Sequence, residues 1–76
     1  AWEDILFWSE NDHKKLKKIL ALIDEIRKTP FSGTGKPEPL KHNLSGYWSR
    51  KIDDKERIVY RVDEGKIIMV ACKGHY

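Results

Sequence analysis

Apolar residues recur at helical spacing through the first third of the chain. The first stretch places four large apolar side chains on a predicted helix face: Trp2, Ile5, Leu6 and Trp8. Asn11-Asp12 interrupts this pattern and offers a side-chain cap to a second helix. The second helix repeats apolar residues three and four positions apart: Leu16, Ile19, Leu20, Ile23 and Ile26. We expect it to end before Pro30, because the residue preceding a proline avoids the helical region.

Residues 30–39 form a segment of different character, with three prolines and two glycines in ten positions. This density excludes regular structure there and predicts an ordered loop. Glu38 lies between Pro37 and Pro39, which restrict the backbone on both sides. Its carboxylate is therefore expected in an extended and fairly rigid segment.

The apolar pattern changes to a period of two from Leu40 onward, where β-branched and aromatic residues predominate. It predicts four strands, at about residues 40–44, 47–52, 57–62 and 66–72. Short polar or glycine-containing segments separate them at hairpin distances, so consecutive strands should pair antiparallel. The last strand is apolar on both faces, which is typical of a central strand.

These elements predict an α+β fold in a single domain, residues 1–76. Two amphipathic N-terminal helices should pack on one face of an antiparallel sheet, and the other face, which carries several cations, should stay open. Helical periodicity begins at the first residue, with no methionine or capping segment before it. We therefore expect that a segment upstream is missing or was removed.

Charge and cysteine usage narrow the class of protein. The net charge of +3 favours a polyanionic or acidic partner, although 36% charged residues are also typical of an ordinary solvated surface. The single Cys72 lies in an apolar run, which indicates a buried thiol and fits a reducing cytoplasm. No stretch approaches the roughly 18 apolar residues of a membrane span. We expect a soluble cytoplasmic protein with no membrane contact.

The three histidines show no spacing typical of a metal site, because CxxC, HxxxH and HExxH patterns are absent from the sequence. No cofactor is expected. The remaining polar residues suit cleavage of RNA by its own 2′-hydroxyl, which requires a base, an acid and cations that face the phosphate. Glu38 is the candidate base and His75 the candidate acid. The candidate phosphate and nucleobase contacts are Lys41, Arg50, Arg57, Tyr47, Trp48 and Tyr76.

Each candidate residue also has a purely structural alternative. Glu38 could be a solvated loop carboxylate, as charged residues mostly are. The arginines on the predicted strands, Arg50, Arg57 and Arg61, could pair with acidic neighbours across the sheet. His75 and Tyr76 could form a frayed tail. The sequence pattern alone leaves these alternatives open.

Three segments carry a resemblance to a known family. They are GKPEPLKHNLSGYWSR at residues 35–50, Arg57-Ile58-Val59-Tyr60, and the terminal His75-Tyr76. Together they resemble the YoeB toxins, which belong to the RelE superfamily of bacterial toxin–antitoxin systems. The resemblance covers nearly the whole chain. It differs in two places: the short strand that usually precedes the first helix, expected at a sheet edge, is missing, and Lys51 stands where a second arginine is familiar.

The resemblance implies a ribosome-dependent endoribonuclease that cuts mRNA in the decoding site of the 70S ribosome without a metal ion. It implies a YefM-like antitoxin as partner and is compatible with a homodimer. By the same resemblance, Glu38 matches the general base, His75 the general acid and Arg57 the transition-state stabiliser. Tyr76 then orients the substrate, and Lys41 and Arg50 bind phosphate.

Two further hypotheses use the same fold without this chemistry. In one, a basic binding module blocks a ribosome or a protein target by occupancy alone. In the other, the open cationic face exists chiefly to bind an acidic, partly disordered antitoxin segment that becomes ordered on it. The ends of the RNA product distinguish catalysis from occupancy, because 2′-hydroxyl attack leaves a cyclic phosphate.

Overall fold

The computed structural model describes residues 2–74. Two helices, α1 (Trp2–Asn11) and α2 (His13–Lys28), precede four strands. The strands are β1 (Glu38–Pro39), β2 (Trp48–Lys51), β3 (Arg57–Asp63) and β4 (Lys66–Ala71), and a 3₁₀ turn, His42–Leu44, lies between β1 and β2. They form one antiparallel sheet in the order β1-β2-β3-β4. The predicted α+β class, with two helices before an antiparallel sheet, is confirmed.

The ends of α2 follow from the residues at its two termini. The Asp12 side chain accepts a hydrogen bond from the Lys15 N–H at 3.0 Å, which caps the first turn. The helix stops at Lys28, and the N–H of Thr29 closes the last turn on the carbonyl of Glu25, as expected before Pro30. The inward face of α2 buries Ile19, Leu22 and Ile26.

Helix α1 departs from the predicted apolar face. Trp8 is buried and Ile5 half-buried, but Trp2 and Leu6 are 70% and 42% exposed. At about 100° per residue, Leu6 lies roughly 160° around the helix from Trp8. The rest of the protein packs on only one side of α1, so it cannot bury both residues. The four apolar residues span a wider arc than α1 buries, and the predicted face was wrong for Trp2 and Leu6.

The strand predicted at residues 40–44 is also wrong. The short strand β1 lies earlier, with Glu38 paired to Ser49 and Pro39 to Trp48, and residues 42–44 form the 3₁₀ turn. Proline is compatible with an edge strand, because its missing N–H costs no ladder bond there. The polar residues of HNLSG favour a turn over a strand. The loop segment is thus irregular only up to Pro37.

Strand β4 pairs with β3 alone among the described residues, so its predicted central position was wrong. Its register shifts by one residue: Val59 pairs with Ala71 while Tyr60 pairs with Met69. This bulge lies at Val70, whose side chain is 43% exposed. Apolar residues on both faces of β4 therefore do not show that other elements cover the strand on both sides.

The core lies between the helices and one face of the sheet. Ile58 and Tyr60 of β3 are fully buried against the α2 side chains, and they share this layer with Trp8, Ile52 and Cys72. Because side chains alternate along a strand, Arg57, Val59 and Arg61 belong to the opposite face. No helix within residues 2–74 combines the length and apolar character that a membrane span requires.

Candidate functional site

Glu38 and Arg57 meet on the sheet face away from the helices. The ladder pairs Glu38 with Ser49, and two residues further along β2, on the same face, Lys51 pairs with Arg57. An Nη1 atom of Arg57 lies 3.2 Å from Oε1 of Glu38. The Glu38 side chain is 56% exposed and that of Arg57 22% exposed. A carboxylate and a guanidinium that are 19 residues apart in sequence thus form one solvent-accessible pair.

Ser49 belongs to this cluster and was missed by the sequence analysis. Its hydroxyl accepts a hydrogen bond from the same Nη1 of Arg57 at 3.3 Å, and its side chain is fully buried. The Ser49 hydroxyl therefore holds the Arg57 guanidinium on its buried side, while Glu38 contacts the same guanidinium on its solvent side. A signal for Ser49 appears only once the register is known, because it is the residue of β2 paired with Glu38.

Backbone contacts hold β1 against β2 on both sides of Glu38. The Lys51 N–H donates to the carbonyl of Gly35 at 2.7 Å, and the Leu40 N–H donates to the carbonyl of Tyr47 at 2.9 Å. Gly35 has φ +88°, and a Cβ atom there would lie 2.8 Å from the Lys51 carbonyl oxygen. Only glycine fits this close approach. The carboxylate of Glu38 is thus carried on a segment anchored before and after it.

The segment after β4 returns to the start of β3. The Arg57 N–H donates to the carbonyl of Gly74 at 2.9 Å, and the Gly74 N–H donates to Oε1 of Glu56 at 2.7 Å. From α1, Asp4 accepts the Cys72 N–H and the Trp8 indole donates to the Cys72 carbonyl. Residues 72–74 are therefore fixed beside Arg57. The predicted site residues His75 and Tyr76 lie outside the described residues.

The other predicted RNA contacts, Lys41, Tyr47 and Trp48, differ in their exposure and in the sheet face on which they lie. Lys41 is exposed at the start of the 3₁₀ turn, three residues after Glu38. Tyr47 is half-buried, and the Arg61 guanidinium lies 6.0 Å from its ring. Tyr47 therefore lies on the same sheet face as Arg57. Trp48 packs on the core side, its ring 4.8 Å from that of Phe31. Tyr47 and Trp48 therefore lie on opposite faces of the sheet, because adjacent strand residues face opposite ways, and their predicted RNA contacts stay predictions.

Arg50 is fully buried on the helix side of β2. Its guanidinium donates to the carbonyls of Thr29, Ser32 and Thr34 and to the hydroxyl of Tyr60. These acceptors occupy the fork that a phosphate would need, and no solvent reaches it. The predicted phosphate contact of Arg50 is at odds with this burial, so Arg50 is not part of the exposed site.

Asp53 and Cys72, outside the Glu38–Arg57 pair, have pKa values shifted by their surroundings. Lys15 of α2 lies 2.8 Å from Oδ2 of Asp53, and this hydrogen bond holds the pKa of Asp53 down to about 2. Burial raises the pKa of the Cys72 thiol to about 11.

Within residues 2–74, no group of three or more His, Cys, Asp or Glu side chains is arranged to hold a metal ion.

Comparison with known proteins places this geometry in a family. The sequence profile of the family described as YoeB-like toxin of bacterial type II toxin-antitoxin system matches residues 1–76. The chain belongs to this family. The Toxin YoeB of Escherichia coli K12 is 53% identical over 76 residues, which are all of this chain and 90% of that protein. The resemblance inferred from the loop and terminal motifs is therefore confirmed.

Solved structures of YoeB proteins share the fold. A YoeB/ParE toxin from Agrobacterium tumefaciens superposes with a TM-score of 0.96 at 45% identity, covering all of this chain and 91% of its own. A YoeB-YefM complex from Staphylococcus aureus contains a chain with TM-score 0.93 at 44% identity, covering 100% and 88%. The YoeB dimer from the same species gives 0.91 at 45% identity, also covering 100% and 88%. The two-helix, four-stranded architecture is thus that of YoeB toxins.

Proposed function

We propose that this YoeB-family toxin is a ribosome-dependent endoribonuclease that cuts mRNA in the decoding site by attack of the 2′-hydroxyl on the adjacent phosphorus. The observation that supports it is the solvent-accessible pair of Glu38 and Arg57, a base and a phosphate-binding cation 3.2 Å apart on the sheet face away from the helices. Membership of a toxin family and the net charge of +3 agree with an RNA target.

Glu38 and Arg57 have different roles in the first half of the reaction. The scissile phosphate binds the Arg57 guanidinium and replaces its contact with Glu38, and the Ser49 hydroxyl keeps the guanidinium in place. The freed carboxylate of Glu38 takes the proton from the 2′-hydroxyl as the O2′–P bond forms. Arg57 then offsets the negative charge that accumulates on the phosphate oxygens.

His75 and Tyr76 complete the reaction in this proposal. As the P–O5′ bond breaks, the leaving 5′-oxygen receives a proton from His75, and the products are a 2′,3′-cyclic phosphate and a 5′-hydroxyl. His75 directly follows Gly74, whose carbonyl accepts the Arg57 N–H. Tyr76 orients the substrate, Lys41 contacts the phosphate backbone, and Tyr47 stacks on a base. Side chains supply acid, base and cation, so the route is metal-independent.

The same proposal includes partners and location. The YoeB-YefM complex of a structural relative supports a YefM-like antitoxin as the neutralising partner, and the YoeB dimer supports self-association of the free toxin. An acidic antitoxin segment suits the cations on the sheet face away from the helices. Messenger RNA on the 70S ribosome places the toxin in the cytoplasm.

Substitution of Glu38 tests this function directly. Glu38→Gln keeps the shape and a hydrogen bond to Arg57 but removes the base, so we expect a cleavage rate about 10² to 10⁴ lower. The measurement is single-turnover cleavage of a message on programmed ribosomes. Glu10→Gln, at the exposed end of α1, is the matched control and should cleave normally.

The occupancy alternative predicts a different result. A binding module would inhibit translation equally well with Glu38→Gln, and the message would remain intact. Unchanged cleavage by Glu38→Gln would remove Glu38 from the mechanism. Intact message with the unsubstituted toxin would overturn the nuclease proposal itself.

A further inference from the structure

Three side chains that the proposed chemistry does not use surround the loop between α2 and β1. They are Glu25 of α2, Arg50 of β2 and Tyr60 of β3, named here the loop clamp. Arg50 is fully buried and makes most of the contacts: Nη2 donates to the carbonyls of Thr29 and, at 2.7 Å, Ser32. Its Nη1 donates to the carbonyl of Thr34 at 3.3 Å. One guanidinium thus donates hydrogen bonds to three carbonyls of a single irregular segment.

Tyr60 and Glu25 extend this network from opposite sides. The Tyr60 hydroxyl accepts from Nε of Arg50 at 3.2 Å and donates to the carbonyl of Pro30 at 2.6 Å. Oε1 of Glu25 accepts the N–H of Thr34 at 2.7 Å and lies 3.5 Å from Nη1 of Arg50. The Thr34 hydrogen bond, and then the Arg50 charge, lower the pKa of Glu25, which keeps this carboxylate ionised.

A glycine in the loop is fitted to the clamp. Gly33 has φ +114°, and a Cβ atom at that position would lie 2.2 Å from Oε1 of Glu25 and 3.3 Å from Nη1 of Arg50. Only a residue without a side chain adopts this backbone and leaves room for the two charged groups. The loop and the clamp therefore fit as one unit.

Stability alone does not account for a buried arginine in a domain this small. Removing a cation from water is costly even when it is paired, and an apolar residue of similar volume often stabilises a core more. Buried polar networks that are fully satisfied instead fix one conformation of the groups they bind. Among residues 2–74, every buried side-chain polar atom has a hydrogen-bond partner, which meets that condition.

The segment that the clamp fixes leads directly to Glu38. Its last contact is at Thr34, the next residue, Gly35, accepts the Lys51 N–H, and Pro37 then restricts the backbone before Glu38. We propose that Glu25, Arg50 and Tyr60 are positioning residues that set where the Glu38 carboxylate meets the 2′-hydroxyl. This inference rests on the proposed function, because it assigns the clamp a part in the same reaction.

Tyr60→Phe is the most selective test, because it removes only the hydroxyl and keeps the buried ring. We expect the single-turnover rate constant for ribosome-bound message to fall roughly 10- to 100-fold, since a misplacement of about 1 Å can cost that much, with unchanged affinity for the ribosome. A purely structural role would lower the fraction of active molecules and leave the rate constant of the folded ones alone. Ile19→Val, in the core of α2 and away from the loop, is the control for lost stability.

A double variant distinguishes action through Glu38 from any other route. If Tyr60 acts by placing Glu38, Tyr60→Phe should cause little further loss of rate in a Glu38→Gln background. The same loss in both backgrounds, or a Tyr60→Phe rate constant equal to the unsubstituted one, would overturn the inference. Failure of the proposed function has another signature, namely a message that the unsubstituted toxin leaves intact.

Amide hydrogen exchange provides a readout that does not depend on activity. In Tyr60→Phe the amides of residues 31–35 should exchange faster, the Thr34 N–H included, while those of α2 and β3 keep their protection. Glu25→Gln keeps an acceptor for the Thr34 N–H and should show a smaller change than Glu25→Ala. Equal protection of residues 31–35 in Tyr60→Phe and the unsubstituted protein would contradict the clamp.

Discussion

At the scale of single residues, Arg50 and Arg57 show how burial decides the use of one side-chain type. Both were predicted to contact phosphate, yet Arg50 is fully buried against loop carbonyls while Arg57 faces an exposed carboxylate. A signal was present in the alternation of β2, because Arg50 lies between Trp48 and Ile52 on the apolar face. What a sequence pattern could not supply is the set of loop carbonyls that makes a buried guanidinium tolerable.

Cys72 gives a prediction at the same scale. Its thiol is fully buried and its pKa is raised to about 11, so at pH 8 only about one thiol in 10³ is ionised. We expect a thiol-reactive disulfide reagent to label the native protein very slowly and the denatured protein at once, because only the thiolate reacts. Rapid labelling of the native protein at pH 8 would show that the segment after β4 does not stay closed.

At the scale of elements, the sequence predicted what depends on local chemistry. The Asp12 cap and Pro30 fix α2, and the turn residues between β2, β3 and β4 fix two antiparallel pairings. The failures concern long-range contacts. Residues 40–44 turn instead of extending because β1 pairs at Glu38 and Pro39, and which arc of α1 is buried depends on the sheet beneath it.

The contact between Lys15 and Asp53 joins α2 to the turn after β2 and gives a pH prediction. The folded pKa of Asp53, about 2, lies below its unfolded value of about 3.9, so this contribution is present above pH 4 and is lost as pH falls towards 2. Asp53→Asn keeps an acceptor for the N–H groups of Lys55 and Glu56 but loses the charge. We expect it to lower the free energy of unfolding at pH 7 by about 1 kcal/mol, after allowance for solvent screening.

Urea unfolding at pH 7 and at pH 2.5 measures this effect. The difference between Asp53→Asn and the unsubstituted protein should shrink at the lower pH. Asp24→Asn is the control, because Asp24 pairs with Lys28 on an exposed helix surface and its loss should matter little at either pH. A difference for Asp53→Asn that stays constant from pH 7 to 2.5 would show that the charge is not its source.

At the scale of the whole molecule, the sheet separates stability from the proposed chemistry. The helices and the core occupy one face, and Glu38, Ser49 and Arg57 lie on the other, beside the fixed segment 72–74. The meeting of Glu38 and Arg57 could be anticipated from the family motifs. Ser49 and the loop clamp could not, because both depend on a register that joins residues far apart in sequence.

The most direct test of 2′-hydroxyl attack alters the substrate and leaves the protein unchanged. A ribosome-bound message is prepared with one 2′-deoxynucleotide at the position that the toxin cuts, and its cleavage is compared with that of the all-ribose message. We predict that the all-ribose message is cut to a 2′,3′-cyclic phosphate and a 5′-hydroxyl, and that the substituted bond stays intact. Cleavage of the substituted bond at the normal rate would contradict the attack that Glu38 is proposed to initiate.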